Sequence, residues 1–164
     1  MIKSICATLL LCSFSITNFD FEYSNRDQFV RGITECTTQF NSAIPPQYRA
    51  VIIISVAQAA LESNWGESRF AREANNFYGM IQTDKTEPHI KALGSNILLK
   101  KYGRKCESVV DYITLLNIGR DFVEYRKVRD KETVLQEVNL DEIINTLHTF
   151  ATVSYTHLRA HETR

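Results

Sequence analysis

The hydrophobic pattern along this chain predicts a series of helices interrupted by one non-helical stretch. After Ser24 and Asn25, either of which suits an N-cap, Phe29, Ile33, Cys36 and Phe40 recur at helical spacing and mark one face of a first helix. Ile44-Pro45-Pro46 breaks that helix and starts the next, since proline suits a first helical turn. A second helix is predicted from about Gln47 to Ser63. From Val51 to Val56 it is apolar almost all round, apart from Ser55, which predicts a helix central to its fold. The β-branched run would also allow a buried strand, but the alanines at 57, 59 and 60 and the length favour helix. Gly66 ends this region, a short helix from about Ser68 to Ala74 follows, and Asn75, Asn76 and Gly79 are turn residues. Between Met80 and Tyr102 helical periodicity is absent and Pro88 and Gly94 punctuate the chain; residues 96–102 suit a strand of a small β lobe. Ser108 suits an N-cap for a helix from Val109 to Leu116. A further helix is predicted from Asp121 to about Arg129, with Phe122, Tyr125 and Val128 on one face. A last one runs from Asp141 to Phe150, with Ile143, Ile144 and Leu147 inward. The expected fold class is mainly α (α+β): a helical domain with a small β lobe.

Composition narrows the function. At 164 residues the chain suits a single domain, long enough to bury a core without staples. Lys+Arg and Asp+Glu number 19 each, so the formal net charge is zero, which argues against nucleic acid as a partner. No apolar run reaches the ~18 residues of a membrane span.

The two ends differ from the rest. Lys3 followed by the apolar stretch Ile5 to Cys12 reads as a secretory signal peptide over residues 1–19, which implies a secreted or periplasmic location; a buried N-terminal helix is the alternative. Leu9-Leu10-Leu11 before Cys12 lacks the small residue of a lipoprotein signal. Of the four cysteines, Cys36 and Cys106 would remain, as one disulfide or as two separate buried thiols. Residues 153–164 fit nothing before them and resemble read-through of a cloning or sequencing adapter. His157 and His161 in this tail are four apart, as two metal ligands on a helix face would be, but no third ligand accompanies them and no metal site is assigned.

The chemistry concentrates between Ala57 and Met80, in AQAALESNWGESRFAREANNFYGM. An apolar helix ends in Glu62, and Trp65 and Gly66 follow at once. A carboxylate buried beside a tryptophan, at a helix end whose dipole disfavours negative charge, has its pKa raised and can donate a proton near neutral pH. Cleavage of a glycosidic bond needs such a donor, and normally a second group across the sugar.

This stretch resembles the signature of glycoside hydrolase family 73, the peptidoglycan endo-β-N-acetylglucosaminidases of the lysozyme superfamily. Their pattern is roughly A-Q-A-A-x-E-S-x-W-G-x-S-x-x-A-x-x-x-N-N-[LF]-[FY]-G. It is matched at Ala57, Gln58, Ala59, Ala60, Glu62, Ser63, Trp65, Gly66, Ser68, Ala71, Asn75, Asn76, Phe77, Tyr78 and Gly79. Weaker resemblance continues through Val109-Val110-Asp111-Tyr112-Ile113 and Leu116-Asn117 to about Thr152, so the glucosaminidase domain is expected over residues 20–152.

The resemblance implies a lysozyme-like fold, a monomer acting on peptidoglycan glycan strands without a cofactor, and Glu62 as general acid. It also implies an acidic residue in the β lobe shortly before an aromatic residue that matches Tyr102; here that place holds Ile97-Leu98. Asp84 and Glu87 are the nearest acidic candidates, each equally a solvated loop charge, and assistance by the substrate's acetamido group or a hydrogen-bonded water are the other routes. Tyr78 and Phe77 are candidates for the sugar groove, or for core packing, the latter favoured for Phe77. Trp65 is expected in the core, shielding the glutamate. Asn75 and Asn76, next to Gly79, either hold the turn backbone or reach substrate amides. Phe150-Ala151-Thr152 matches a family Y-A-T-D segment without the tyrosine hydroxyl, so Phe150 takes that substrate-binding position, and the family's final helix is missing. The rival functions are a lytic transglycosylase using a single glutamate and a catalytically weak glycan-binding module.

Overall fold

The computed structural model describes residues 19–135 and 139–147. The proposed signal peptide, Phe150 and the C-terminal tail with its two histidines lie outside the described residues.

The first helix, α1 (Arg26–Ala43), begins where the sequence places it. Of the two candidate caps it uses Asn25, whose Oδ1 accepts from the Gln28 N–H at 2.9 Å. The Gln28 side chain returns the favour, accepting from the Ser24 N–H and hydroxyl, so donors left orphaned at a helix start are satisfied on both sides. Phe29, Ile33, Cys36 and Phe40 are all fully buried, as their period predicts.

The second helix, α2 (Ile52–Ser63), starts later than expected. Pro46 opens a separate 3₁₀ turn, Pro46–Tyr48, and the chain is then extended at Arg49. The Asn41 side chain holds both backbone groups of Ala50, accepting its N–H at 2.9 Å and donating to its carbonyl at 2.8 Å. With those groups engaged by α1, helical pairing begins only beyond Ala50. Nor is α2 buried all round. Ile54, Ser55, Ala59 and Ala60 face α1, but Ile52, Ile53 and Leu61 are exposed, Leu61 to 71%. Residues 53, 57 and 61 share the outward stripe of the helix.

A short helix α3 (Arg69–Ala74), capped by the Ser68 hydroxyl, leads into the lobe. The lobe contains one antiparallel pair, β1 (His89–Lys91) and β2 (Leu98–Lys100), with Ile90 opposite Leu99, plus a lone bridge from Ile81 to Leu99. Its own core is small: Phe70, Ala92 and Leu99.

The next helix, α4 (Lys105–Ile118), begins before the predicted Ser108 cap. Glu107 closes its N-terminus by accepting from the Gly103 and Arg104 N–H groups. Ser108 is instead buried inside the helix, where its hydroxyl accepts from the Phe77 N–H at 3.0 Å. A disulfide joins Cys36 on α1 to Cys106 on α4, with the Cα atoms 5.5 Å apart, which decides between the two states open to these cysteines.

After a 3₁₀ turn, Arg120–Phe122, helix α5 (Val123–Leu135) and helix α6 (Leu140–Thr146) complete the described chain. Tyr125, Ile143 and Leu147 point inward as expected. Ile144 does not: it is 54% exposed, because only 143 and 147 share the inward face of so short a helix. The architecture is thus mostly helical with a small two-stranded lobe, and no helix among the described residues is long and apolar enough to cross a membrane.

Candidate active site

Glu62 sits one residue from the C-terminal end of α2 and is half-buried. Two features fix it there. The core face of α2 packs on α1, and the helix stops immediately afterwards because Asn64, Trp65 and Gly66 all take left-handed backbone (φ 51, 59 and 80°). Glycine is required at the last of these. Its φ disfavours any side chain, and a Cβ would meet the Tyr23 ring at 2.7 Å and Phe29 at 2.8 Å. Ser63, fully buried, ties the turn by accepting from the Gly66 N–H at 2.8 Å.

Two aromatic rings are buried against the core, one of them in contact with α2 at Ser55. Tyr78 and Tyr112 stack with centroids 4.0 Å apart and planes 4° from parallel, and both are fully buried. Burial raises the Tyr112 hydroxyl well above the usual phenol range, with the neighbouring Tyr125 and Tyr78 and the charge of Glu62 adding to it. Burial likewise raises Tyr78. Its hydroxyl lies 3.0 Å from Ser55 Oγ, which in turn accepts from the Thr37 hydroxyl at 3.0 Å. This buried hydroxyl chain explains the one polar residue in the apolar run of α2: Ser55 joins α1, α2 and the Asn-Asn-Phe-Tyr segment.

Phe77 and Tyr78 thus have no exposed face for a sugar ring in this structure; both are 0% exposed. Phe77 sits among Phe21, Tyr23 and Phe29. The two asparagines hold backbone. Asn75, in left-handed conformation, donates to the Tyr102 carbonyl at 3.0 Å. Asn76 donates to the carbonyls of Met80 and Lys100 and accepts from the Met80 N–H, so its amide joins α3 to β2 across the turn at Gly79.

The two candidate second acids sit together in an exposed turn of the lobe. Asp84 accepts from the Thr86 hydroxyl at 2.7 Å and the Thr86 N–H at 2.9 Å, and these bonds hold its carboxyl below the usual range. Glu87 is exposed, and its backbone N–H donates to the Asp84 carbonyl. Sequence reasoning did not foresee a third carboxylate at the lobe's base. Asp111 on α4 accepts from Lys100 Nζ and the Tyr102 hydroxyl, both at 2.6 Å. Burial first, and the Asp111 charge second, push the Tyr102 hydroxyl far up. The Asp111 cluster clamps the lobe to the helices.

Trp65 is half-buried against the main core and turns towards Arg26, whose guanidinium lies 5.1 Å from the ring centroid. It lines a pocket of about 310 Å³ whose walls do not include Glu62. No group of three or more potential metal ligands occurs among the described residues.

Residues 44–157 match the glucosaminidase family model, described as mannosyl-glycoprotein endo-β-N-acetylglucosaminidase. The chain belongs to this family of glycoside hydrolases. The match begins after α1 and contains Glu62, both lobe acids and Asp111. An exo-glucosaminidase, LytG, of Bacillus subtilis is 31% identical over 113 residues, covering 63% of this chain and 38% of LytG. A putative endo-β-N-acetylglucosaminidase of Streptococcus pneumoniae is 42% identical over 45 residues, covering 27% of this chain and 7% of that protein. The chain therefore spans well under half the length of these relatives. Among solved structures, the catalytic domain of the autolysin Auto from Listeria monocytogenes superposes with a TM-score of 0.59, at 19% identity and with 91% of each chain covered, which shows the shared fold.

Proposed function

We propose that this glucosaminidase domain hydrolyses β-1,4 glycosidic bonds of N-acetylglucosamine in peptidoglycan, with Glu62 as general acid. The observation that carries the reading is Glu62 itself, half-buried in the last turn of α2 and inside the family match. Negative charge is disfavoured at a helix C-terminus, which suits a group that must hold a proton before giving it to the leaving oxygen. The second group is assigned to the lobe. Asp84, its carboxyl held below the usual range by its Thr86 hydrogen bonds, suits the base or stabilising role, and Glu87 is its neighbour in the same exposed turn. We further propose an oxidising, extracytoplasmic location; the buried Cys36–Cys106 disulfide supports it.

Mass spectrometry of digested peptidoglycan tests the proposal. New reducing N-acetylglucosamine ends are expected, and they should vanish in Glu62→Gln. Anhydro-muramic ends would instead establish a transglycosylase, and intact strands a binding module.

A further inference from the structure

The motif that delivers Glu62 also builds a second place, and the proposed reaction leaves it unused. Trp65, Arg72 and Glu67 face Tyr23, Arg26 and Lys105 around the pocket of about 310 Å³. Trp65 is the notable member. A bulky side chain with φ 59° is a backbone outlier, and such strain is retained where surrounding structure imposes it, often at ligand sites. Here it sets one ring face against the Arg26 guanidinium.

The charges around the ring are mixed. Lys105 is paired with the exposed Glu22 at 2.8 Å. Arg72 is exposed and has no side-chain partner among the described residues, yet its charge reaches the half-buried Tyr23 hydroxyl. Glu67, also exposed, supplies a second negative group beside Glu22. Two forked guanidinium groups suit a carboxylate, which they bind with paired hydrogen bonds. The two glutamates would repel a polyanionic polymer but would favour a ligand that also carries an ammonium. The half-buried indole offers an apolar surface for the alkyl part of such a ligand.

We propose that this pocket binds a short peptide bearing carboxylate and ammonium groups, the class carried by peptidoglycan strands, at a site separate from Glu62. The proposal rests on the peptidoglycan reading of the substrate.

Trp65 is the only tryptophan in the chain, so its fluorescence reports on the pocket directly. The full chain carrying Glu62→Gln is titrated with the tripeptide Ala-Glu-Lys, with the same peptide amidated at both carboxyls, and with inorganic phosphate. A saturable change is expected with the free tripeptide alone. It should weaken roughly tenfold or more in Arg72→Ala and in Arg26→Gln, since each removes a charge-assisted hydrogen bond. No saturable change, affinity in both arginine variants unchanged from that of the parent Glu62→Gln chain, or tighter binding of phosphate than of tripeptide would overturn the proposal. The two readings fail separately. Normal cleavage of peptidoglycan by the unsubstituted chain without titration removes the peptide pocket, whereas titration together with no cleavage by the unsubstituted chain removes the hydrolase reading.

Discussion

The helical half and the β lobe are built on opposite terms. In the first, α1, α2 and α4 share one apolar core, a disulfide and a chain of buried hydroxyls. In the second, two three-residue strands cover a core of three buried side chains, and the turn between Gln82 and His89 is almost wholly exposed. The lobe is held mainly from its base, by Asn76 to Met80 and Lys100 and by Asp111 to Lys100 and Tyr102. The proposed proton donor, Glu62, needs a fixed, partly dry setting, which the helical half supplies. Groups that must meet a bulky, variable polymer can sit on a surface whose own folding depends little on them. Substitutions in the two halves should therefore separate stability from turnover.

The largest effect is expected where the halves meet in function. Glu62→Gln should lower turnover on purified cell walls by roughly 10²–10⁴-fold, the usual contribution of a positioned general acid. It should still fold with an unchanged thermal midpoint; retention of more than about half the rate would remove Glu62 from that role. The next effect is on stability. Replacing both Cys36 and Cys106 by serine opens a link of 70 residues' separation, and chain-entropy reasoning gives a loss of about 4 kcal/mol. Denaturant unfolding measures it, and a loss below about 1 kcal/mol would show that core packing alone holds α1 to α4. Asn76→Ala should follow at about 3 kcal/mol, because three buried hydrogen bonds go at once. Hydrogen exchange should then rise first at β2 rather than in α1; uniform loosening would contradict the base-held picture of the lobe. The smallest effects on stability belong to Asp84→Asn and Glu87→Gln, each within about 0.5 kcal/mol as exposed substitutions. Their turnover should differ sharply, one impaired and the other nearly intact. Full activity in both would move the second catalytic function to the substrate or to a bound water.

The same contrast explains what the sequence made legible. Phe29, Ile33, Cys36 and Phe40 announced their face because a single helix period governs them. The start of α2 was hidden, since the residue that delays it, Asn41, lies nine positions before Ala50 and acts through its side chain. Ser108 looked like a cap for the same reason: a serine before an apolar run is a local signal, but its hydroxyl serves Phe77, 31 residues away. Tyr78 suggested a sugar platform, yet its partners, Ser55 and Tyr112, come from two other helices. Ile144 and the outward isoleucines of α2 show that apolar identity alone does not orient a side chain. The family motif singled out Glu62, which lies in the last turn of α2 as its spacing suggests, whereas the clamping position of Asp111 was not legible, because it depends on where β2 brings Lys100. The disulfide was open in the sequence because pairing depends on distance in space, which 70 residues of separation do not convey.

The short segment before α1 bears on where the proposed signal peptide could be cut. Phe21 is buried in contact range of Gly32, where any added Cβ would collide with its ring, and it packs beside Tyr23 and Phe77. Tyr23 donates to the Gly66 carbonyl at 2.8 Å, closing over the turn that ends α2. These rings behave as part of the interior although they precede the first helix. Processing that cuts at residue 19 would leave them in place. A cut only four or five residues later would strip both rings from the turn behind Glu62, so the position of N-terminal trimming would set how firmly the proposed acid is held.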